Sequence, residues 1–526
     1  MAGWQSKPGP RRETGKSASP AGTLTLPVVG PSPTGMRRSQ MSRWRALSLV
    51  GVHVLIIAHI AHWLVAGRTL SPVEPSEAMY TLNDGHLNAG FIFFAVSLLA
   101  TLVLGRFVCG WGCHLVAYQD LCAWLLKKIG LKPKPFRSRI VIMAPFALAV
   151  YMFIWPSAYR LWMGIPRSPT TNHLMTGDFW ATFPGPVIGV VSVLVCGFII
   201  VYFLGSKGFC TYACPYGGFF RVADRFAPGR ILVSDACEHC GHCTATCSSN
   251  VRVHEEVARY GMVVDPGCMK CMDCVSVCPN HALHFGFEKP SLAAKPRADV
   301  KTVRPYDFNP VEELMMVVGG VGALLALRGL YGQIPLLLAM ALAAVTAYLG
   351  LLLTRMVHAP NVKLQRITFK RGGRWSRAGA AFGLLTASWT VLVVHGGVVQ
   401  YHLWRGQTLA RSAGISDEIW FASSTWWDDA TEAQRKAVTH ALRHFELVDS
   451  LGLLATPVAV RDSVRLHLAM GDDKLAEAAV RRLIALRPDE PDPYRGLAGI
   501  MRKTGRRLDA EASYRRALSI KPSFAP

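Results

Sequence analysis

Charge is scarce in this chain. Asp, Glu, Lys and Arg make up 17% of its 526 residues, against roughly 25% in an ordinary soluble protein. Acidic residues are the scarcer sign: 34 Asp+Glu face 57 Lys+Arg, a formal net charge of +23. That surplus does not read as a nucleic-acid surface, because the basic residues lie in an amino-terminal tail and in loops between apolar blocks, not on one folded soluble face. No phosphate-binding glycine loop, hydrolase triad or flavin site is present, so no hydride chemistry can be argued. A secreted disulfide framework is also disfavoured, since eight of the 14 cysteines stand in two tight runs at metal-ligand spacing.

What the chain does have is apolar length. Hydrophobic residues make up 51% of it, and a spanning helix needs about 20 of them in a row, because only a helix pairs every backbone group locally in hydrocarbon. Seven segments come near this: Trp44 to Val65, Ala89 to Val108, Ile140 to Trp155, Pro186 to Leu204, Glu313 to Leu327, Ile334 to Leu353 and Ala378 to Val399. Short loops rich in Lys and Arg favour the cytoplasm. Lys127, Lys128, Lys132, Lys134, Arg137 and Arg139 follow the second segment, and Arg355, Lys363, Arg366, Lys370, Arg371, Arg374 and Arg377 follow the sixth. The expectation is a multi-pass inner-membrane protein with the segment from Ser206 to Pro310 inside and everything after Tyr401 outside.

The expected divisions are a disordered basic tail at 1–42, a four-helix membrane domain at 43–230, a cysteine module at 231–290, a linker at 291–311, three further membrane helices at 312–402 and a helical segment at 403–526. The last contains a repeat. Gly471, Ala476, Glu477, Ala478, Arg481, Arg482 and Pro488 recur as Gly505, Ala510, Glu511, Ala512, Arg515, Arg516 and Pro522, with the period of tetratricopeptide (TPR) helix pairs. Such repeats stack into an α-solenoid and bind partner proteins.

The two cysteine runs carry the chemistry. Cys237-x2-Cys240-x2-Cys243-x3-Cys247 is followed by Cys268-x2-Cys271-x2-Cys274-x3-Cys278-Pro279. Three cysteines two apart wrap three corners of a cubane, and the fourth, starting a helix, reaches the other cluster. One [4Fe-4S] cluster is therefore assigned to Cys237, Cys240, Cys243 and Cys278, the other to Cys268, Cys271, Cys274 and Cys247. Zinc would need four ligands and leave half of these unused. Two more pairs, Cys109-x3-Cys113 and Cys210-x3-Cys214, end apolar helices; they suit a metal, a redox disulfide or packing. Cys122 and Cys196 read as core. His239 and His242 read as solvent-facing or sulfur-bonding neighbours, not ligands, and Lys270 and Asp273 as residues that tune charge or meet a partner.

Cys109-Gly-Trp-Gly-Cys113, Asp120-Leu-Cys-Ala-Trp124, Cys210-Thr-Tyr-Ala-Cys214-Pro and the tandem runs together resemble polyferredoxin membrane proteins of the NapH, NosR and CcoG type, from about Arg45 to Phe287. His114 departs from the family, which usually has Pro after the second cysteine, and the three later helices and TPR repeats lie outside its common core. The resemblance implies an electron-transfer subunit of an oxidoreductase, such as a quinol dehydrogenase component, relaying electrons between a quinol pool or other donor and a partner redox protein. The alternative is a membrane assembly factor that uses its clusters for metal or thiol reduction and its repeats for partner recruitment. His59 with His62, and His395 with His402, share helix faces and suit b-type haem, quinone-linked proton transfer or plain hydrogen bonding to neighbouring helices. The whole is expected to be a mainly α, polytopic helical membrane protein with an inserted two-[4Fe-4S] ferredoxin-like α+β module.

Overall fold

The computed structural model describes residues 24–25, 36–131, 133, 135–180, 183, 185–297, 300–301, 306–415 and 426–520. Six of its helices are long and apolar enough to cross a membrane: α1 (Met41–Ala66), α3 (Val141–Trp162), α4 (Pro186–Leu204), α5 (Pro310–Leu327), α6 (Leu336–His358) and α7 (Arg377–Ser412). Between α1 and α3 lies α2 (Ala89–Leu104), an apolar helix of 16 residues that reaches about 24 Å at 1.5 Å per residue. The chain is a polytopic helical membrane protein. Leu47, Val50, Val54, Leu55, Ile57 and Leu64 of α1 are exposed on the bundle surface, an apolar face that only hydrocarbon would solvate well.

Several boundaries differ from the sequence expectation, each for a local reason. The second apolar segment stops at Leu104, not Val108, because Gly105 turns into a left-handed conformation at φ 69°. The third continues past Trp155 to Trp162. A π-turn at Val150–Ile154 lets the chain restart with Pro156 in the first turn of Trp155–Trp162, where its missing N–H costs nothing. The last does not end near 402: α7 runs on to Ser412 and packs against α8 (Glu432–Leu451), with Gly406 under the Phe445 ring. The 1–42 tail is only partly within the described residues, and its end is fixed. Ser39 Oγ donates to Asp273 at 2.7 Å and the Gln40 N–H to Ser276 Oγ at 3.0 Å. Leu24–Thr25 pairs in parallel with Val300–Lys301.

The bundle has two distinct ends. At one, the start of α1, the end of α2 and the starts of α3 and α5 meet the cysteine module. Glu313 of α5, fully buried, accepts from the backbone N–H groups of Arg139 and Ile140 at 2.8 and 2.9 Å. Arg355 at the end of α6 pairs with Glu312 at 2.7 Å. At the other end, the short pairings Thr69–Leu70 with Met175–Thr176 and His86–Leu87 with Thr171–Asn172 close the loops. There the α5–α6 turn holds the carboxyl-terminal helices: the Leu453 N–H donates to Tyr331 Oη at 3.1 Å and Arg487 to the Gly332 carbonyl at 3.3 Å.

Those helices, α8, α9 (Pro457–Ala469), α10 (Asp473–Leu486), α11 (Pro491–Lys503) and α12 (Arg507–Ile520), pack as successive neighbours. The repeat positions behave alike. Gly471 and Gly505 make left-handed turns at φ 73° and 80°, and Ala476 and Ala510 are buried where helices approach.

The cysteine module is closed by an antiparallel pair, Gly229–Val233 with Leu283–Phe287, which flanks both runs. Its start at Gly229 precedes the expected 231 because Gly229 itself sits against the Leu104 backbone of α2.

Candidate iron-sulfur centre

The two runs fold as copies of one loop. His239 and Gly241 in the first take φ of 53° and 77°, and Lys270 and Met272 at the matching places in the second take 50° and 61°. Three of these are non-glycine residues in a conformation that costs about 1–2 kcal/mol each, so a shared requirement holds the backbone there. The consequence is that backbone N–H groups turn toward sulfur. Those of His239, Thr244, Lys270 and Asp273 point at Cys237, Cys243, Cys268 and Cys271, and Ala282 donates to Cys278 Sγ at 3.3 Å.

The sulfurs line two separate small cavities. One is bordered by Cys237, Cys240, Cys243 and Cys278, the other by Cys247, Cys268, Cys271 and Cys274. Each takes three cysteines from one run and the last from the other. Burial and neighbouring thiols push Cys243 and Cys247 up to about 12; Cys240 acts on the first and Cys268 on the second. Four such thiols stay neutral unless a bound cation supplies the compensating charge. Among the described residues, no three His, Cys, Asp or Glu converge tightly enough for a single metal ion. Four sulfurs around each cavity, with backbone N–H groups aimed at them, suit the four corners of an iron-sulfur cubane.

Lys270 and Asp273 do not face solvent or a partner, contrary to one reading of the sequence. Both are buried and face the membrane domain. Lys270 Nζ reaches Asp224 at 2.8 Å, Arg230 reaches the same carboxylate at 2.8 Å, and all three side chains are fully buried. Asp224 also accepts from the Arg106 N–H at 3.1 Å. A second chain of charge runs from Asp273 to Arg45 at 3.4 Å, from Arg45 to Asp120 at 2.8 Å, and on to Lys207. These cations lie where buried thiolates would concentrate negative charge.

The four remaining paired cysteines come together. Cys113 lies within electrostatic reach of Cys109 and Cys210, and Cys214 within reach of all three. Arg106 hydrogen-bonds Cys109, Lys207 stands beside Cys210, and Gln119 Nε2 donates to Cys210 Sγ at 3.2 Å. This quartet touches the second cage: the Trp111 indole donates to the Lys270 carbonyl at 3.0 Å, and Gly110 rests on Met269. A Cβ at Gly110 would stand 2.2 Å from the Met269 oxygen, whereas one at Gly112 meets nothing nearer than 3.4 Å. Gly110→Ala should therefore push the turn off the module, at about 1–3 kcal/mol, and lower the iron retained on purification; Gly112→Ala should leave it unchanged.

Of the other candidates, Cys122 and Cys196 are core, as expected. His239 lies beside Cys237, with 3.9 Å between Nδ1 and Sγ. His59 bonds the Leu70 carbonyl at 3.1 Å, His62 the Thr69 hydroxyl at 2.9 Å and His395 the Tyr331 hydroxyl at 3.2 Å, while His402 pairs with His444 at 2.8 Å. The four imidazoles thus serve neighbouring protein groups. Asp224, Arg106, Lys207 and Arg45 were not singled out from the sequence; an Asp or Arg beside an apolar block was the only trace they left.

Comparison with known proteins falls on the same residues. The 4Fe-4S binding domain family matches residues 89–132 and 187–233, which include the membrane quartet, and the 4Fe-4S dicluster domain family matches residues 236–283. The chain is 24% identical to the ferredoxin-type protein NapH of Haemophilus influenzae over 263 residues, 46% of this chain and 88% of that one. It is 25% identical to the methylamine utilization ferredoxin-type protein MauN of Methylobacillus flagellatus over 224 residues, 39% of this chain and 76% of the other. NapH of Escherichia coli is 24% identical over 226 residues, 40% of this chain and 73% of its own length. No solved structure matches. These matches centre on the cysteine runs and on the helices that carry the quartet, so the chain carries 4Fe-4S binding domains in a helical membrane protein and is similar to ferredoxin-type proteins of the NapH and MauN kind.

Proposed function

We propose that the protein is a membrane-bound one-electron carrier. Cys237, Cys240, Cys243 and Cys278 would hold one [4Fe-4S] cluster and Cys247, Cys268, Cys271 and Cys274 a second, with Cys109, Cys113, Cys210 and Cys214 as a third redox or metal site in the membrane. Cubane clusters supply single-electron exchange with little change in shape. The carrying observation is the contact of the quartet with the second cage through Gly110, Met269, Trp111 and Lys270, because it makes the membrane site and the soluble module one continuous unit.

The chain's residues do the rest. Lys270, Arg45, Arg106 and Lys207 balance thiolate charge, and the apolar walls of Val251, Val253, Val257 and Ile231 keep water from the cages. A cavity of about 920 Å³ lined by Phe94, Phe153, Leu98 and Phe219 opens beside the helix that follows Cys214, which suits a quinol from the lipid pool as donor. The basic loops after α2 and α6 lie at the cysteine-module end, with Arg366 against Gly130. By the charge rule that end is cytoplasmic and the carboxyl-terminal helices are on the outer side, where their TPR-like pairs would recruit a partner.

The test is reduction in liposomes. Anaerobic protein given a lipid-soluble quinol should lose its visible cluster absorbance, and Phe153→Trp, which fills the cavity, should slow this without changing reduction by dithionite. Equal rates in both proteins, or no bleaching by quinol at all, would refute the quinol assignment. Protease added to inverted vesicles should spare the carboxyl terminus.

A further inference from the structure

A cavity of about 300 Å³ lies where the cysteine module meets the membrane bundle, away from both cages. Its walls come from three places: the Phe136–Arg139 stretch that leads into α3, Thr211 and Tyr212 between the second pair of membrane cysteines, and the module helix Val253–Tyr260. Five arginines line it, Arg137, Arg139, Arg221, Arg252 and Arg259, against three carboxylates, Glu255, Glu256 and Asp265.

One carboxylate pairs within the lining and two bind backbone N–H groups. Glu255 pairs with Arg252 at 2.7 Å. Glu256 accepts from the backbone N–H groups of Val264 and Asp265 at 2.8 and 2.7 Å, and Asp265 from that of Gly267 at 2.7 Å. Five arginines against three carboxylates leave a surplus of two positive charges. Among the described residues, Arg221 donates to the carbonyls of Ile142 and Thr211, at 3.4 and 3.3 Å, and Arg259 Nε is buried without a hydrogen bond. Burial and the neighbouring Arg106 push Arg221 down to about 10, and burial with Arg252 lowers Arg137. Positive charge thus outweighs the nearby Asp265 and Glu255 around a space with room for an anion, with Arg221 and Arg137 partly desolvated, which is the arrangement that favours bidentate phosphate recognition. Its level is that of lipid headgroups, since Arg139 and Ile140 bind Glu313 at the starts of α3 and α5.

We propose that this cavity binds a phosphate group, carried by an anionic phospholipid headgroup or free in solution, and that its occupancy fastens the module to the bundle. Thr211 and Tyr212 then put the anion in contact with the turn that holds Cys210 and Cys214. The proposal is independent of the redox reading and its test avoids redox readouts.

The test uses the full-length protein, delipidated in detergent, with thermal unfolding followed by tryptophan fluorescence. The probes are inorganic phosphate, and nanodiscs of phosphatidylcholine alone or with phosphatidylglycerol. Phosphate or phosphatidylglycerol should raise the midpoint, and Arg137→Gln with Arg259→Gln should weaken the probe by about tenfold or more while leaving iron content unchanged. Arg259→Gln alone, which orphans no partner, should give a smaller loss and keeps the test valid should the double variant not fold. A response to phosphatidylglycerol only assigns the lipid source, and one to phosphate only assigns a solute. No rise with either probe, or an equal rise in the variants, overturns the proposal.

Discussion

Cys271→Ala should cut the bound iron of the two soluble cages from about eight atoms to about four and abolish electron flow to the partner, by at least about a hundredfold. Cys271 is a corner of the cage that touches the membrane quartet, and alanine offers no ligand in its place. Burial and the neighbouring Asp273 disfavour a bare thiolate at this sulfur and Arg45 favours it, so a bound cation is needed to hold it as a ligand. Without it, Arg45 and Lys270 remain buried beside a cage that no longer closes. The first cage shares no cysteine with the second, so a signal from one remaining cluster should survive in the EPR spectrum. The same variant separates the two functional readings. A carrier loses electron transfer while its partner is made and assembled normally; an assembly factor leaves the partner immature.

Asp224→Asn should have the largest effect on stability. Asp224, Lys270 and Arg230 are all fully buried, so the amide would strand two cations away from water. Breaking a buried pair in this way costs about 3–5 kcal/mol, a large share of the roughly 5–15 kcal/mol that holds a typical domain folded. The Arg106 N–H that also reaches this carboxylate ties the end of α2 to the module, so the expected result is a module that detaches from the bundle and becomes sensitive to protease while α1 to α7 stay in the membrane. Asp449→Asn supplies the comparison. Its ion pair with Arg482 is about a third to a half exposed, and such a pair is worth at most about 1 kcal/mol.

The cage cysteines were legible in the sequence because their geometry is local: the x2 and x3 spacings within one run fix how a short loop can wrap. Six of the seven expected spans were legible for a similar reason, since length and composition alone decide them, whereas the second is a helix of only 16 residues. What could not be read was the keystone. Asp224 meets Arg230 six positions away, Lys270 46 away and Arg106 118 away, and no spacing in the sequence marks groups that only the tertiary fold brings together. Lys270 illustrates the difficulty. In a loop between cysteines this lysine reads as one that tunes charge or meets a partner, yet its left-handed backbone at φ 50° turns the side chain inward to the bundle. Neither the meeting of the two x3 pairs nor the contact of Gly110 with Met269 was legible. Helix ends were misread where a single residue decided them, as Gly105 did for α2 and the π-turn before Pro156 did for α3.

Caging of iron-sulfur cubanes by the eight cysteines is the step on which the proposed electron transfer depends. Its most direct test is iron and acid-labile sulfide analysis of anaerobically purified protein, with EPR of the dithionite-reduced sample. About eight irons with matching sulfide and the spectrum of two interacting reduced cubanes are expected from the soluble module, rising to about twelve if the membrane quartet is also filled. Colourless protein containing zinc or no metal would contradict the account.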